Sequence, residues 1–224
     1  MNNIVRLSWA SGIAAILATS VTASYAQQAK PEQRPMHYDR TALDNAYVTV
    51  SKDSAPCEKA ELGRCEDRVI LAMADLKITS GGHDTLLKRG EIAVFKAGDS
   101  YELPGDASYG SYYEIAIKPN HPPVKSPPEL IRPDKNAVIY EGPKFFVYRE
   151  QLAAGDTRAR HSHSQRVEIR LSNGPMLHQW VWEGDQVKDI DPGRVNWREP
   201  MIHEVRNVGD APLDNFILEF LPEK

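Results

Sequence analysis

The chain carries only two cysteines in 224 residues, no clustered excess of lysine and arginine, and no long helical periodicity. Each shortage removes a class of protein. Two cysteines cannot staple a disulfide-dense miniprotein. With 31 acidic against 27 basic side chains and a net charge of −4, the chain lacks the cationic footprint that nucleic-acid phosphates demand. The sequences G-x-G-x-x-G, the Walker loop and G-x-S-x-G are all missing, so nucleotide binding and serine-hydrolase chemistry have no support. What is present is an ordinary globular composition, 41% hydrophobic and 26% charged, long enough for one large or two modest cores.

Apolar runs are scarce too, and the only long one stands at the start. Arg6 is the single charge before Lys30, and the run Gly12–Val21 follows it. Ser24-Tyr25-Ala26 then sets small residues at −3 and −1 of a cleavage point before Gln27. This is the layout of a secretory signal peptide over residues 1–26, too short to span a membrane as a helix. The expected location is the periplasm or outside the cell, with no stable membrane insertion after cleavage. Losing Arg6 with the leader takes the net charge from −4 to −5.

Proline is concentrated rather than scarce. Six of the sixteen lie in Pro119–Pro133, a stretch that cannot be central strand or helix interior and reads as a stiff connector. On both sides the texture is short alternating runs rich in Val, Ile, Tyr and Phe: Val69–Leu71, Glu91–Phe95, Tyr112–Ile117, Phe145–Tyr148, Val167–Leu171, Leu177–Trp182 and Asn215–Phe220. The expected fold is all-β, as sandwiches or barrels. The two sides also repeat each other. Cys65–Asp75 aligns on His163–Asn173 with Arg68 on Arg166 and Val69 on Val167, and Phe95–Glu102 aligns on Trp197–Glu204. The chain therefore divides into two copies of one β domain, residues 27–124 and 125–224.

The second copy holds polar groups that the first lacks. Gly155-x5-His161-x-His163-x4-Glu168 is followed about forty residues on by Pro200-x2-His203-x3-Asn207. Residues i and i+2 of a strand share a face, so His161 and His163 present two imidazoles side by side. A third from a neighbouring strand makes a three-nitrogen cluster suited to one divalent transition metal, Mn, Fe, Zn, Cu or Ni.

These blocks resemble the two motifs of the cupin superfamily, G-x5-H-x-H-x4-E and G-x5-P-x-G-x2-H-x3-N, with the inner glycine of the second replaced. The first half keeps Gly90 and Gly98 of the second motif but has Tyr101 where His is expected, and the repeat puts Gly63, Cys65 and Ile70 at the other ligand positions. The resemblance covers about residues 40–222. It implies two tandem cupin jelly-roll barrels, the first degenerate and the second binding metal through His161, His163, His203 and Glu168.

Glu168 stays open between two readings. It shares a strand face with Arg170, opposite Val167, Ile169 and Leu171; if the apolar face lines the barrel, Glu168 meets solvent, and a bend after His163 would restore it to the metal. Tyr148 and Arg170 are candidates for orienting a substrate carboxylate. Trp180, Trp182 and Trp197 are candidate pocket walls if they face inward; outward, Trp180 and Trp182 would serve pairing into a homodimer. The resemblance offers dioxygenases, isomerases, decarboxylases and germins as precedents, and the fold does not choose among them. The functional readings are a metal-dependent enzyme acting on a small anionic or phenolic molecule, a non-catalytic binder of a small molecule, and a structural module.

An exported setting favours joining Cys57 and Cys65, against the alternatives of two free thiols or a metal pair. A disulfide closing this nine-residue loop is worth roughly 2–3 kcal/mol. Mass spectrometry of unreduced peptides from exported protein should find the two joined; two alkylatable thiols would refute the pairing.

Overall fold

The computed structural model describes residues 40–54, 67–103, 111–127, 136–180, 184–189 and 191–222. The expected leader and the Cys57–Cys65 pair lie outside the described residues. Among those described there is no helix. The first half contributes β1 (Thr41–Asp44), β2 (Val48–Lys52), β3 (Arg68–Ala72), β4 (Leu76–Ser80), β5 (His83–Leu87), β6 (Ile92–Phe95) and β7 (Tyr112–Ile117). The second contributes β8 (Asn136–Glu141), β9 (Phe145–Leu152), β10 (Thr157–His163), β11 (Arg166–Arg170), β12 (Pro175–Trp180), β13 (Gly184–Asp189), β14 (Val195–Arg198), β15 (Met201–Asn207) and β16 (Leu213–Phe220). Residues 121–127, within the proline-rich connector, carry no regular structure.

The repeat read from the sequence is a repeat of topology. The first half builds a five-stranded antiparallel sheet in the order β1-β2-β7-β3-β6, and the second builds β8-β9-β16-β11-β14, the same order strand for strand. Each half adds a smaller sheet: the hairpin β4-β5 in the first, and β10-β15-β12-β13 in the second. An isolated bridge between Thr79 and Glu102 stands in the first half where the second has the ladder between β12 and β15.

Where the core sits decides which way every strand faces. The two five-stranded sheets pack on each other through one apolar cluster: Val48, Val50, Val69, Leu71, Ile115 and Ile117 from the first half meet Phe145, Val147, Val167, Ile169, Phe216 and Leu218 from the second. A second cluster, including Ile70, Ala72, Leu76, Ile78, Phe95 and Tyr101, fills the space between the first half's own sheets. The small cluster Leu152, Met176, Val205 and Leu213 closes part of the second half's interior. Strand periodicity links these facts: on β11, Val167 and Ile169 face the seam between halves, so Arg166, Glu168 and Arg170 face the interior. The apolar face does not line the barrel. It lies between the barrels, and Glu168 is interior without any bend.

Register also corrects the sequence alignment of the repeat by one residue. Arg68 pairs with Phe95, and its counterpart Arg166 pairs with Arg198. Phe95 thus corresponds to Arg198 rather than to Trp197. The faces agree: Phe95 is in the first half's interior cluster, whereas Trp197 packs on the seam cluster.

A shared seam predicts shared unfolding. Phe216, fully buried there, should cost about 3–5 kcal/mol when truncated to Ala. In urea, Phe216→Ala should lower the midpoint of one transition seen alike by far-UV and near-UV signals. Two separated transitions would show the halves to be independent.

Candidate metal centre

The antiparallel pairing of β10 and β15 sets His161 opposite His203, and His163 follows two residues on along the same face. A register shift between Arg158 and His161 precedes this pair. All three rings are buried, with ring centroids 4.6 Å apart for His161–His163, 4.5 Å for His161–His203 and 5.1 Å for His163–His203. One donor atom from each lies within 4.8 Å of the others. Other motif residues hold the backbone. Gly155 turns the chain into β10 with φ 79°, where a side chain would be strained, and its N–H donates to the Asn207 carbonyl at 3.0 Å. The Asn207 side-chain amide donates to the carbonyls of Leu152, Ala153 and Ala211.

The hydrogen bonds aim the imidazoles. His161 Nδ1 donates to the Ala159 carbonyl at 2.8 Å, and its Nε2 stands 3.0 Å from His203 Nε2. His163 Nδ1 donates to Glu219 Oε2 at 2.8 Å, leaving Nε2 as its available donor atom. Burial, reinforced by the Arg158 charge, pushes His161 down to about 4. Burial and Arg166 hold His163 well below the usual histidine range. Neutral imidazoles are what a metal requires. Two nitrogens bound at about 2.0–2.1 Å in adjacent positions stand about 3 Å apart, so the His161–His203 spacing fits a shared cation. The residues present fit a transition metal.

Around the triad the barrel interior is charged and paired. Glu168 accepts from Arg166 Nε at 2.9 Å and Arg198 Nε at 2.8 Å. Burial alone would raise its pKa, but the two guanidiniums outweigh it and hold the carboxyl at about 2. Glu168 lines the same cavity as His163 and His203, yet it is not part of the cluster of three. Glu150 is paired to Arg158 and accepts from Asn215 at 2.8 Å. The cavity among these groups, lined also by Arg170, Asn196 and Met176, has a volume of about 20 Å³, room for one water-sized occupant.

The other sequence candidates divide. Tyr148 is fully buried beside the triad, its hydroxyl donating to Glu219 Oε2 at 2.9 Å and lying 3.1 Å from His163 Nδ1. Arg170 lines the cavity. Trp197 stacks on Tyr47 of the first half with centroids 4.9 Å apart, so it belongs to the seam and not to the cavity wall. The backbone of Trp180 pairs with His203, and Trp182 lies outside the described residues. The sequence reading missed Glu219, Arg158, Arg166, Arg198 and Glu150. A signal for Glu219 was available: Asn215, Ile217 and Glu219 alternate with the seam residues Phe216, Leu218 and Phe220. In the first half, Ile70 and Tyr101 at ligand-equivalent positions lie in an apolar cluster, and Tyr101 donates to Glu114.

The imidazole shifts fix the sign of a pH effect. The folded pKa of His161, about 4, lies below the usual 6.5, so the unfolded chain binds the proton first as pH falls. Stability is therefore lost between about pH 6.5 and 4, by up to about 3 kcal/mol for this ring. Urea midpoints of metal-free protein should fall more steeply from pH 7.5 to 4.5 than those of His161→Gln. Parallel profiles would contradict the burial of a neutral ring.

No protein-family model matches the sequence, and no curated protein matches it. Solved structures do. The putative glyoxylate-induced protein from Pseudomonas aeruginosa matches with a TM-score of 0.55 and 12% identity, over 79% of this chain and 73% of that one. Protein YlbA from E. coli matches with 0.54 and 10%, over 82% and 88%. The cupin 2 conserved barrel domain protein from Leptotrichia buccalis gives 0.49 and 12%, over 80% and 86%. At such identities the likeness concerns the fold alone. With two all-β halves of one strand order, and in the second an H-x-H strand paired to a third histidine, this chain shares an all-β fold with the P. aeruginosa and E. coli proteins.

Proposed function

We propose that this is an exported protein, periplasmic or secreted, whose second barrel holds one divalent transition metal on His161, His163 and His203 and presents it to a small anion. The observation that carries this reading is the buried triad of imidazoles with mutually facing nitrogens, His161 and His163 being kept neutral by burial. A metal with three protein ligands keeps open positions, and when bound it supplies Lewis acidity and, for a redox metal, access to dioxygen. The reading this supports is a metal-dependent enzyme, of dioxygenase or isomerase type.

The barrel's own residues select the ligand. Three neutral rings leave the full charge of a divalent cation, and Glu168, engaged by two arginines, does not lower it by binding. The cavity wall pairs its own charges, Glu168 with Arg198 among them, so the cation itself is what draws an anion, with Arg170 on the wall to meet it. Size narrows the class further. The cavity beside the triad is small, about 20 Å³, which favours a small ligand, anionic or phenolic, reaching the metal from its open side. The same small volume also favours a second reading, a metal that is purely structural. The first half's filled interior supports one metal per chain.

Elemental analysis of the exported chain should give one metal per chain, nearly abolished by His161→Ala or His203→Ala and kept by Tyr101→Phe. Formate, acetate or a catechol-like probe should perturb the spectrum of the Co2+-loaded protein. Two metals per chain would refute the asymmetry. A coordination shell indifferent to every probe, with no exchangeable water, would leave the structural reading.

A further inference from the structure

The carboxylate that the cupin-like motif places near the metal is Glu168, and it is held by two guanidiniums. A different carboxylate reaches the triad. We infer that Glu219, braced by Tyr148, is the positioning residue that fixes His163 as its Nδ1–H tautomer and supplies the site's negative charge through that ring. This deepens the metal reading above and rests on it.

Glu219 is 4% exposed, and three donors fix it in place. Its Oε2 accepts from His163 Nδ1 at 2.8 Å and from the Tyr148 hydroxyl at 2.9 Å. Its Oε1 accepts from the Ser164 backbone N–H at 2.8 Å, while the Ser164 hydroxyl donates to the Phe220 carbonyl. A carboxylate so held cannot rotate away from the ring. Bonded to Nδ1, it keeps the proton on that nitrogen and makes Nε2 a more basic donor. Tyr148 thus meets the ring and its carboxylate, a different task from holding a substrate carboxylate.

The duplicated half acts as an internal control. Glu219 stands opposite Arg166 in the ladder of β11 and β16, and Ala116 stands opposite Arg68 at the equivalent place in β3 and β7. Tyr148 pairs with Ile217, two residues before Glu219; Ser51 pairs with Glu114, two before Ala116. The half without the histidine triad thus has alanine and serine where the half with it has glutamate and tyrosine. The first half's own buried carboxylate, Glu114, lies two residues from that place and accepts from the Tyr101 hydroxyl instead.

The test uses the whole chain, 15N-labelled and metal-free, with Co2+ as the metal probe. Long-range 1H–15N spectra, with His163→Gln for assignment, should show the His163 ring protonated at Nδ1 and bare at Nε2. Glu219→Gln should keep its circular dichroism yet lose 10–100-fold in Co2+ affinity, measured by competition with a chelator. Tyr148→Phe, which leaves Glu219 on the ring, should lose less. An Nε2–H tautomer in the wild type, or a folded Glu219→Gln with wild-type affinity, overturns the inference. Should Glu219→Gln not fold, the wild-type tautomer decides. A wild-type chain that binds no Co2+ defeats the metal reading, and the tautomer still reports whether Glu219 holds the ring.

Discussion

The two five-stranded sheets share one apolar core, and that packing constrains everything behind it. A strand has two faces and one alternation, so assigning Val167, Ile169, Phe216 and Leu218 to the seam sends their neighbours into the second barrel. Those neighbours are Arg166, Glu168, Arg170, Asn215 and Glu219. The barrel interior is polar because the other face of the same strands is already committed to the other half. A one-residue slip would exchange the two sets and bury the charges in the seam, so the register is strongly specified.

A charged interior is costly unless its groups are paired, and the structure pairs them. Glu150 holds Arg158, Glu168 holds Arg166 and Arg198, and Glu219 takes His163, Tyr148 and Ser164. His161 and His163 stay neutral in this field because burial and the nearby guanidiniums both penalise a proton on them. The outcome is a site that repels protons from its nitrogens and is ready for a dication. The first half shows the same frame used differently: Ile70, Ala72, Phe95 and Tyr101 form an apolar cluster there, and the buried Glu114 takes the Tyr101 hydroxyl.

Much of this was legible in the chain itself. The all-β class followed from short alternating runs, the two-fold repeat from Arg68-Val69 over Arg166-Val167, and the triad from H-x-H spacing with His203. These are local or additive signals: period two, fixed offsets, and residue types suited to a metal. The repeat alignment failed by one residue at Phe95 because similarity of aromatic character favoured Trp197, whereas pairing with Arg68 and Arg166 selects Arg198.

Alternation along β11 separated Val167 from Glu168 but not inside from outside. That choice needed a third body, the first half's sheet, which covers the apolar face. In the same way, Glu168 matched the motif's spacing, and only the structure shows that Arg166 and Arg198 engage it. Glu219 lies 56 residues from the ring it touches, a contact set by ladder register across the sheet. The sequence by itself determined periodicity, duplication and the three histidines, because these depend on neighbours along the chain. Tertiary structure decided which face is interior and which carboxylate meets the triad, because burial and ion pairing depend on strands distant in sequence.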